Sequence, residues 1–372
     1  MFFFRKDFFS KKFRRKILHI LFVADGNLKH CGARYHFTYR RLQNGLIRNG
    51  HNVYFLSSTD TARVGNIFRS SKLGWRFCNN VFIKTCYNFR PALIVLGQAD
   101  AIQPESLRKV KSFLPHVKII QYNVDPLFSR HNINMLRKLL SYMDATFVTT
   151  AGTILKCLSH SKGVISFIPN PVDESIDYPR CHERSDQEHD VFWSMRRTKI
   201  HEGNPRIEIP LFLEKSGKVK IDYYGMNGKP ELWSADYYQA IENAKMGLNI
   251  SHTSLERDYI NEETTNEELY LYSSDRISHY MGSGLLTFST RGHQMENLFE
   301  EDKEIVFFSS KEELLDKVIY FKKNDTERRE IARRGWEKSH GCYNERLVAK
   351  YVIETTFCLP LSEQYAWPTQ TY

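Results

Sequence analysis

The sequence predicts an α/β protein of two Rossmann-like domains, each built on a parallel sheet, facing a central cleft. Three observations support this. Strand-length apolar runs alternate with helix-length segments along both halves, the order that right-handed crossovers turn into parallel sheets. The runs are near-continuous rather than alternating, as suits strands covered on both faces. A length of 372 residues is enough to bury two cores.

Taken in order, residues 17–24 (ILHILFVA) predict the first strand, followed by the Asp25-Gly26-Asn27 turn and a loop through Lys29, His30, Cys31 and Gly32. A helix begins near residue 33 and stops at Asn49-Gly50, with Gly50 suited to the left-handed position that ends helices. Residues 51–57, 92–97, 117–122, 145–150 and 164–168 predict further strands, with helices at 105–113 and 134–142 among the segments between them. Pro169 and Pro171 then fix an extended exit from the sheet. Residues 174–188 are polar, charged and aperiodic, which predicts a linker. The second half restarts with a strand at 190–195 (DVFWSM), then strands at 219–224, 246–252 and 285–288, with helices at 206–215, 237–245, 312–321, 325–338 and 344–355. The domains are therefore 17–173 and 189–340.

Composition excludes several classes. An apolar fraction of 41% and a charged fraction of 26% are ordinary for a soluble globular protein, and no apolar run is long enough for a transmembrane helix. Seven cysteines lack C-x-x-C pairing or a Cys/His ligand spacing, so reduced thiols in a cytosolic protein fit better than disulfides or zinc. The net charge of +10 is uneven. Residues 1–16 (MFFFRKDFFSKKFRRK) hold seven basic residues, one Asp and six Phe. Basic residues interleaved with aromatic ones suit either an anionic membrane surface or a disordered, solubilising start. Nothing else in the chain suggests a nucleic-acid partner.

The most informative stretch is 273–299, SSDRISHYMGSGLLTFSTRGHQMENLF. Ser-Ser-Asp predicts an N-capped helix with Asp275 in its first turn. Arg276, His279 and Tyr280 fall on one face of it; Ile277 and Met281 fall on the other. Gly282-Ser283-Gly284 ends the helix, and a loop at Thr290-Arg291-Gly292 follows the next strand. Ligands of open α/β sheets bind at carboxyl strand ends beside helix N-termini. Arg276 is thus either a phosphate ligand or a solvated, ion-paired surface charge. Asp125 follows the 117–122 strand and is either a general base or orienting group for an acceptor hydroxyl, or a simple Asp-Pro turn residue. Asn249, Ser251 and His252 approach the same rim.

The run SDRISHYMGSGLLTFSTRG, with EEDKEIVFFSSKEELLDKV and ERREIARRGWEKSH after it, resembles the carboxyl half of bacterial glycosyltransferases of the GT-B type, in particular the CgeB-like branch. IPNPVD resembles the IPNGVD run that closes the first domain of many such enzymes. The resemblance covers 189–340 well and the amino half in outline. It implies the GT-B fold, with 341–372 as a helix and tail returning to the first domain. It further implies a nucleotide-sugar donor whose diphosphate is met by Arg196, Arg197, Lys199 and Arg276, with Gly282 and Gly284 permitting close backbone approach. Gly225, His252, His279, Arg291, Gly292 and Glu296 would lie toward the nucleotide or sugar. Gly26, Lys29, His30 and Gly32 would form the acceptor-side loop, His30 joining Asp125 as a catalytic candidate. One departure stands out: the family's ribose-binding Glu is His279 here, and the acid eight residues earlier is Leu271. The implied activity is sugar transfer to a hydroxyl of a cell-surface glycan or lipid-linked acceptor, as in lipopolysaccharide or polysaccharide biosynthesis. No metal or other cofactor is expected, and the protein would be cytoplasmic, at the inner face of the membrane if residues 1–16 dock there. Alternatives are a nucleotide-sugar hydrolase or epimerase, or a non-catalytic nucleotide-sugar-binding subunit.

Overall fold

The structure, a computed structural model, describes residues 17–34, 38–97, 99–127, 129–152, 154–159, 163–196, 204–251, 271–291 and 294–372. The basic-aromatic segment 1–16 and the site candidates Arg197, Lys199, His252 and Gly292 lie outside the described residues.

The first sheet consists of β1 (His19–Ala24), β2 (Asn52–Ser57), β3 (Leu93–Gly97), β4 (Lys118–Asn123), β5 (Ala145–Val148) and β6 (Val164–Phe167). All pair in parallel, in the order β2-β1-β3-β4-β5-β6. The helices of this half are α1 (Thr38–Arg48), α2 (Ser58–Val64), α3 (Trp75–Phe89), α4 (Pro104–Phe113), α5 (Arg130–Leu140) and α6 (Ile154–Leu158). The second sheet, equally parallel, has the order β11-β10-β9-β7-β8, with β7 at His189–Ser194, β8 at Ile221–Tyr224, β9 at Ala244–Asn249, β10 at Leu286–Thr290 and β11 at Val306–Phe308. Its helices are α7 (Pro205–Lys215), α8 (Ser234–Glu242), α9 (Asp275–Gly282), α10 (Lys311–Lys323) and α11 (Asp325–Cys342).

In each sheet the order in which strands are added reverses once. The first sheet's switch point lies between β1 and β3, the second's between β7 and β9. Such crevices, outside the carboxyl ends of parallel strands, are where open α/β sheets hold ligands.

A last helix, α12 (Glu345–Thr356), is capped by Asn344, whose side chain accepts from the amides of Arg346 and Leu347. It packs on α1, and the Tyr351 hydroxyl lies 2.6 Å from Ser166 Oγ in β6. The chain end then pairs with the same strand, Ile165 and Tyr372 exchanging two backbone hydrogen bonds of 2.9 and 3.0 Å. That pairing covers an edge that would otherwise expose unpaired backbone groups.

The two domains and the segment between them meet at Arg41. This α1 side chain is fully buried and forks onto Asp177, Nε to Oδ2 at 2.9 Å and Nη2 to Oδ1 at 2.6 Å. Nη2 also donates to the Tyr238 hydroxyl of α8 at 2.6 Å, and that hydroxyl donates to Asp177 at 2.8 Å. Burial alone would raise the Asp177 pKa, but the Arg41 guanidinium more than offsets it and holds the carboxyl below its usual range. Residues 174–188 are therefore no loose tether: Ile176, Asp177, Cys181, His182 and Gln187 are all buried. Removing one partner of such a pair strands a buried charge, which costs about 3–5 kcal/mol. Arg41→Ala should lower unfolding stability by that order in urea denaturation; an unchanged midpoint would contradict this account of the junction.

Candidate active site

A cavity of about 390 Å³ opens between the sheets, with both switch points on its walls. From the second sheet it is lined by Ser194, Met195 and Arg196 after β7, Arg206 of α7, Trp233 before α8, and Asp275, Arg276 and His279 of α9. From the first sheet it is lined by Thr38 and Tyr39 of α1, Gly97, Tyr122, Val124, Asp125 and Pro126.

Arg276 sits at the switch point. Its Nε donates to Asn249 Oδ1 at 3.2 Å and its Nη2 to the Ile250 carbonyl at 2.8 Å, so the end of β9 holds the guanidinium. The ring of Trp193, fully buried in β7, lies 4.6 Å beneath it. Arg206 approaches from the first turn of α7, where Asn204 caps the helix and Pro205 starts it. Its Nε is buried without a hydrogen-bond partner, and the cavity wall thereby keeps an unused donor. Burial, and then repulsion from Arg276, push the Arg206 pKa down to about 10, still cationic near neutrality. Among the described residues neither arginine forms an ion pair with a carboxylate. Two mutually repelling guanidinium groups, neither ion-paired to a carboxylate, make a receptive site for an anion.

α9 departs from expectation in two ways. The Ser-Ser opening does not cap it: Ser274 makes no side-chain cap bond, and Ser273 Oγ instead accepts from the Asn170 amide at 2.9 Å, while Ser278 donates to the Asn170 carbonyl at 2.7 Å. The helix start is thus clamped to the first domain's exit. Tyr280 does not share the open face either. It is buried against Phe192 and Gly247, where a Cβ would meet the Tyr280 ring at 2.7 Å.

His279 does face the cavity, with Nδ1 3.1 Å from the Tyr237 hydroxyl and Nε2 buried and unpartnered. Burial foremost, then the Arg41 charge, push its pKa down to about 4, so the ring is neutral. For Asp275, burial acts to raise the pKa but His279, Arg276 and Arg41 outweigh it, and the carboxyl stays ionised.

Other sequence candidates fall elsewhere. Asp125 lines the cavity, its amide turned back onto Asn123 Oδ1 at 2.7 Å. Gly26, Lys29, His30 and Gly32 do not line it. Gly26 is packed under Ser57 and Asp60, and Gly32 faces open space. Only the end of that loop reaches the rim, where the Arg34 guanidinium lies 4.1 Å from the Trp233 ring centroid, with Arg196 5.4 Å away from the same ring. Gly282 and Gly284, expected to admit the diphosphate, do not line the cavity and are instead packed against the chain between the domains. Added Cβ atoms there would meet Val172 and Asp177, or His182. Arg291 pairs with Glu301 outside the cavity, and Glu296 is exposed. Gly225, at φ +81°, abuts the Met195 carbonyl and so shapes the wall from behind. Arg206 was absent from the sequence candidates; the signal for it was an Asn-Pro-Arg helix start shortly after the restarting strand.

Among the described residues no cluster of three or more His, Cys, Asp or Glu is placed to hold a metal ion, and no helix is long and apolar enough to cross a membrane.

Two parallel Rossmann-like sheets with facing switch points define the GT-B class of fold. Residues 208–352 match the sequence profile of a family described as glycosyl transferase-like. The fold is similar to that of HepE from Anabaena, solved with UDP and glucose (TM-score 0.56, 12% identity, 92% of this chain and 100% of that one). It is also similar to the catalytic domain of starch synthase IV from Arabidopsis thaliana, bound to ADP and acarbose (0.60, 8%, 92% and 99%), and to sucrose-phosphate synthase from Thermosynechococcus elongatus (0.55, 9%, 91% and 98%). No curated protein sequence matches. The resemblance to GT-B glycosyltransferases drawn from the sequence therefore holds.

The His279 environment sets a pH dependence. Its folded pKa of about 4 lies below the ordinary 6.5, so between these values the unfolded chain binds a proton that the native chain does not. Stability is fully present above pH 6.5 and declines as pH falls toward 4. Buried His182, also shifted down, adds to the decline in the same direction. His279→Gln should flatten this decline in denaturation midpoints measured across the window; an unaltered slope would count against a neutral, buried His279.

Proposed function

We propose that the chain transfers a sugar from a nucleotide-diphosphate-sugar donor to a hydroxyl of a cell-surface glycan or lipid-linked acceptor, acting in the cytoplasm at the inner face of the membrane. The observation that carries this reading is the pair Arg206 and Arg276, converging at the second sheet's switch point with no carboxylate ion-paired to either among the described residues. Their placement suits a diphosphate, and most of all the diphosphate that gains charge as its bond to the sugar breaks. Arg196 adds a third cation at the rim.

In this reading the acceptor hydroxyl enters from the first domain's wall. It bonds to the anomeric carbon as the donor C–O bond breaks, the electron pair leaves with the diphosphate, and the hydroxyl proton passes to Asp125 or to solvent oriented by it. Neutral His279 contributes a hydrogen-bonding ring, not a charge, toward the nucleotide or sugar. The arginines supply the stabilising charge, so the proposed mechanism calls on no metal or cofactor.

A thermal-shift panel of nucleoside diphosphates and nucleotide sugars should identify the donor by stabilisation. With that donor, Arg276→Ala and Arg206→Ala should each cut transfer by about a hundredfold or more, as for loss of a donor to developing charge, and abolish the ligand-induced shift while the fold persists. Binding without turnover toward any acceptor would favour a non-catalytic subunit. Release of free sugar without glycan product would favour a hydrolase. Full transfer by Arg276→Ala would end the assignment.

A further inference from the structure

The hairpin between α2 and α3 carries a surface that the cleft does not use. Fifteen large hydrophobic residues are exposed among the described residues, and six of them fall within residues 64–77: Val64, Ile67, Phe68, Leu73, Trp75 and Phe77. Ile67 is 89% exposed and Phe68 74%. Singly scattered apolar residues need no explanation, but a concentration like this marks an interaction surface. Its charge is one-sided. No Asp or Glu occurs from residue 61 to 99, whereas Arg63, Arg69, Lys72 and Arg76 do occur within or beside the hairpin. Arg63 is neutralised by Asp60 at 2.8 Å. Arg69, Lys72 and Arg76 have no carboxylate partner among the described residues.

Nor is the exposure the by-product of an untied loop. Asn66 Nδ2 donates to the carbonyls of Ala62 and Ser70 at 2.9 and 2.7 Å, and its Oδ1 accepts from the Ser70 amide at 3.1 Å. Gly65 is closed over Phe77 and Gly74 over the Ala62 carbonyl, at distances that exclude a Cβ. The backbone is satisfied internally while the apolar side chains point out. Aliphatic and aromatic groups flanked by unpaired cations match the interface of a bilayer rich in anionic headgroups, where rings and chains enter the headgroup region and the cations meet phosphate.

We infer that the 64–77 hairpin docks the protein on an anionic membrane surface, through a folded contact separate from residues 1–16. The hairpin is coupled to the cleft. Ser57 caps α2, and Ser57 and Asp60 also accept the amides of Gly26 and Leu28, in the loop whose far end carries Arg34 to the rim.

The test is flotation of the full chain with vesicles of equal parts phosphatidylglycerol and phosphatidylcholine, against phosphatidylcholine alone. The chain should float with the anionic vesicles. The paired variants Ile67→Ser with Phe68→Ser, and Arg69→Glu with Lys72→Glu, should each weaken binding about tenfold or more at unchanged melting temperature. Because no donor is needed, failure here is distinct from failure of the sugar-transfer reading. Equal flotation of the parent and both variants, or none by the parent, overturns the inference. So does a parent that dimerises through this hairpin without binding vesicles, with the Ile67→Ser, Phe68→Ser variant monomeric; that outcome assigns the surface to a second copy.

Discussion

The buried Arg41–Asp177 pair is the constraint on which the cavity depends. Three separate segments supply its parts: α1 from the first domain, the connecting segment, and Tyr238 from the second domain. A buried ion pair is weak evidence for net stability, because desolvation of both charges opposes the attraction. What it does supply is geometric demand, since only one relative placement of the domains leaves neither charge stranded. The demand extends outward. Asp177 accepts the Asp173 amide, and Asp173 holds Asn44 and Arg48 of α1, while Arg48 also reaches Glu345 of α12. Burial, and then the same guanidinium, keep His279 uncharged, so the joint that fixes the walls also contributes to the electrostatics between them.

That electrostatic pattern is asymmetric. The second domain's wall brings Arg196, Arg206 and Arg276 with the carboxyls of Glu231 and Asp275; the first domain's wall brings Asp125 and aromatic or small side chains. A displacement in which one partner gains negative charge and the other loses a proton has the same polarity. Asp275 offsets the arginines only in part: it forms no ion pair with either, and its charge acts on Arg41 as well as on both of them. By formal charge the second wall keeps a positive excess, and it faces the carboxyl of Asp125 on the first.

The legible parts of this arrangement were those set by local rules. Parallel strands buried on both faces must be apolar throughout, which is why strands from 17–24 to 164–168 emerged within a few residues of their observed bounds. Arg276 was legible because a strand end followed by a helix start is a local pattern. α3 was not assigned: its β-branched, aromatic and Asn residues are poor helix formers, although Cys78, Phe82 and Cys86 recur at the spacing of a buried helical stripe. Arg206 depended on which strands become neighbours, a fact of tertiary pairing. Gly282 and Gly284 were read as room for a diphosphate, whereas they make room for Val172, Asp177 and His182, because a glycine does not announce what approaches it. Ser273 looked like a cap because its partner, Asn170, is 103 residues away.

The two ends of the interdomain contact are unequal. At the floor stand the buried ion pair and the Asn170 clamp on α9, together with the Ser273 amide donating to the Thr149 carbonyl at 2.8 Å. Among the contacts at the rim is Arg34 lying on Trp233, a cation–π pair worth about 0.5–1 kcal/mol where solvent competes. Breaking the floor by stranding a charge costs several times more. Arg276 and His279 ride on the helix that the floor clamps, so the most costly of these contacts also position the side chains of the second domain's wall.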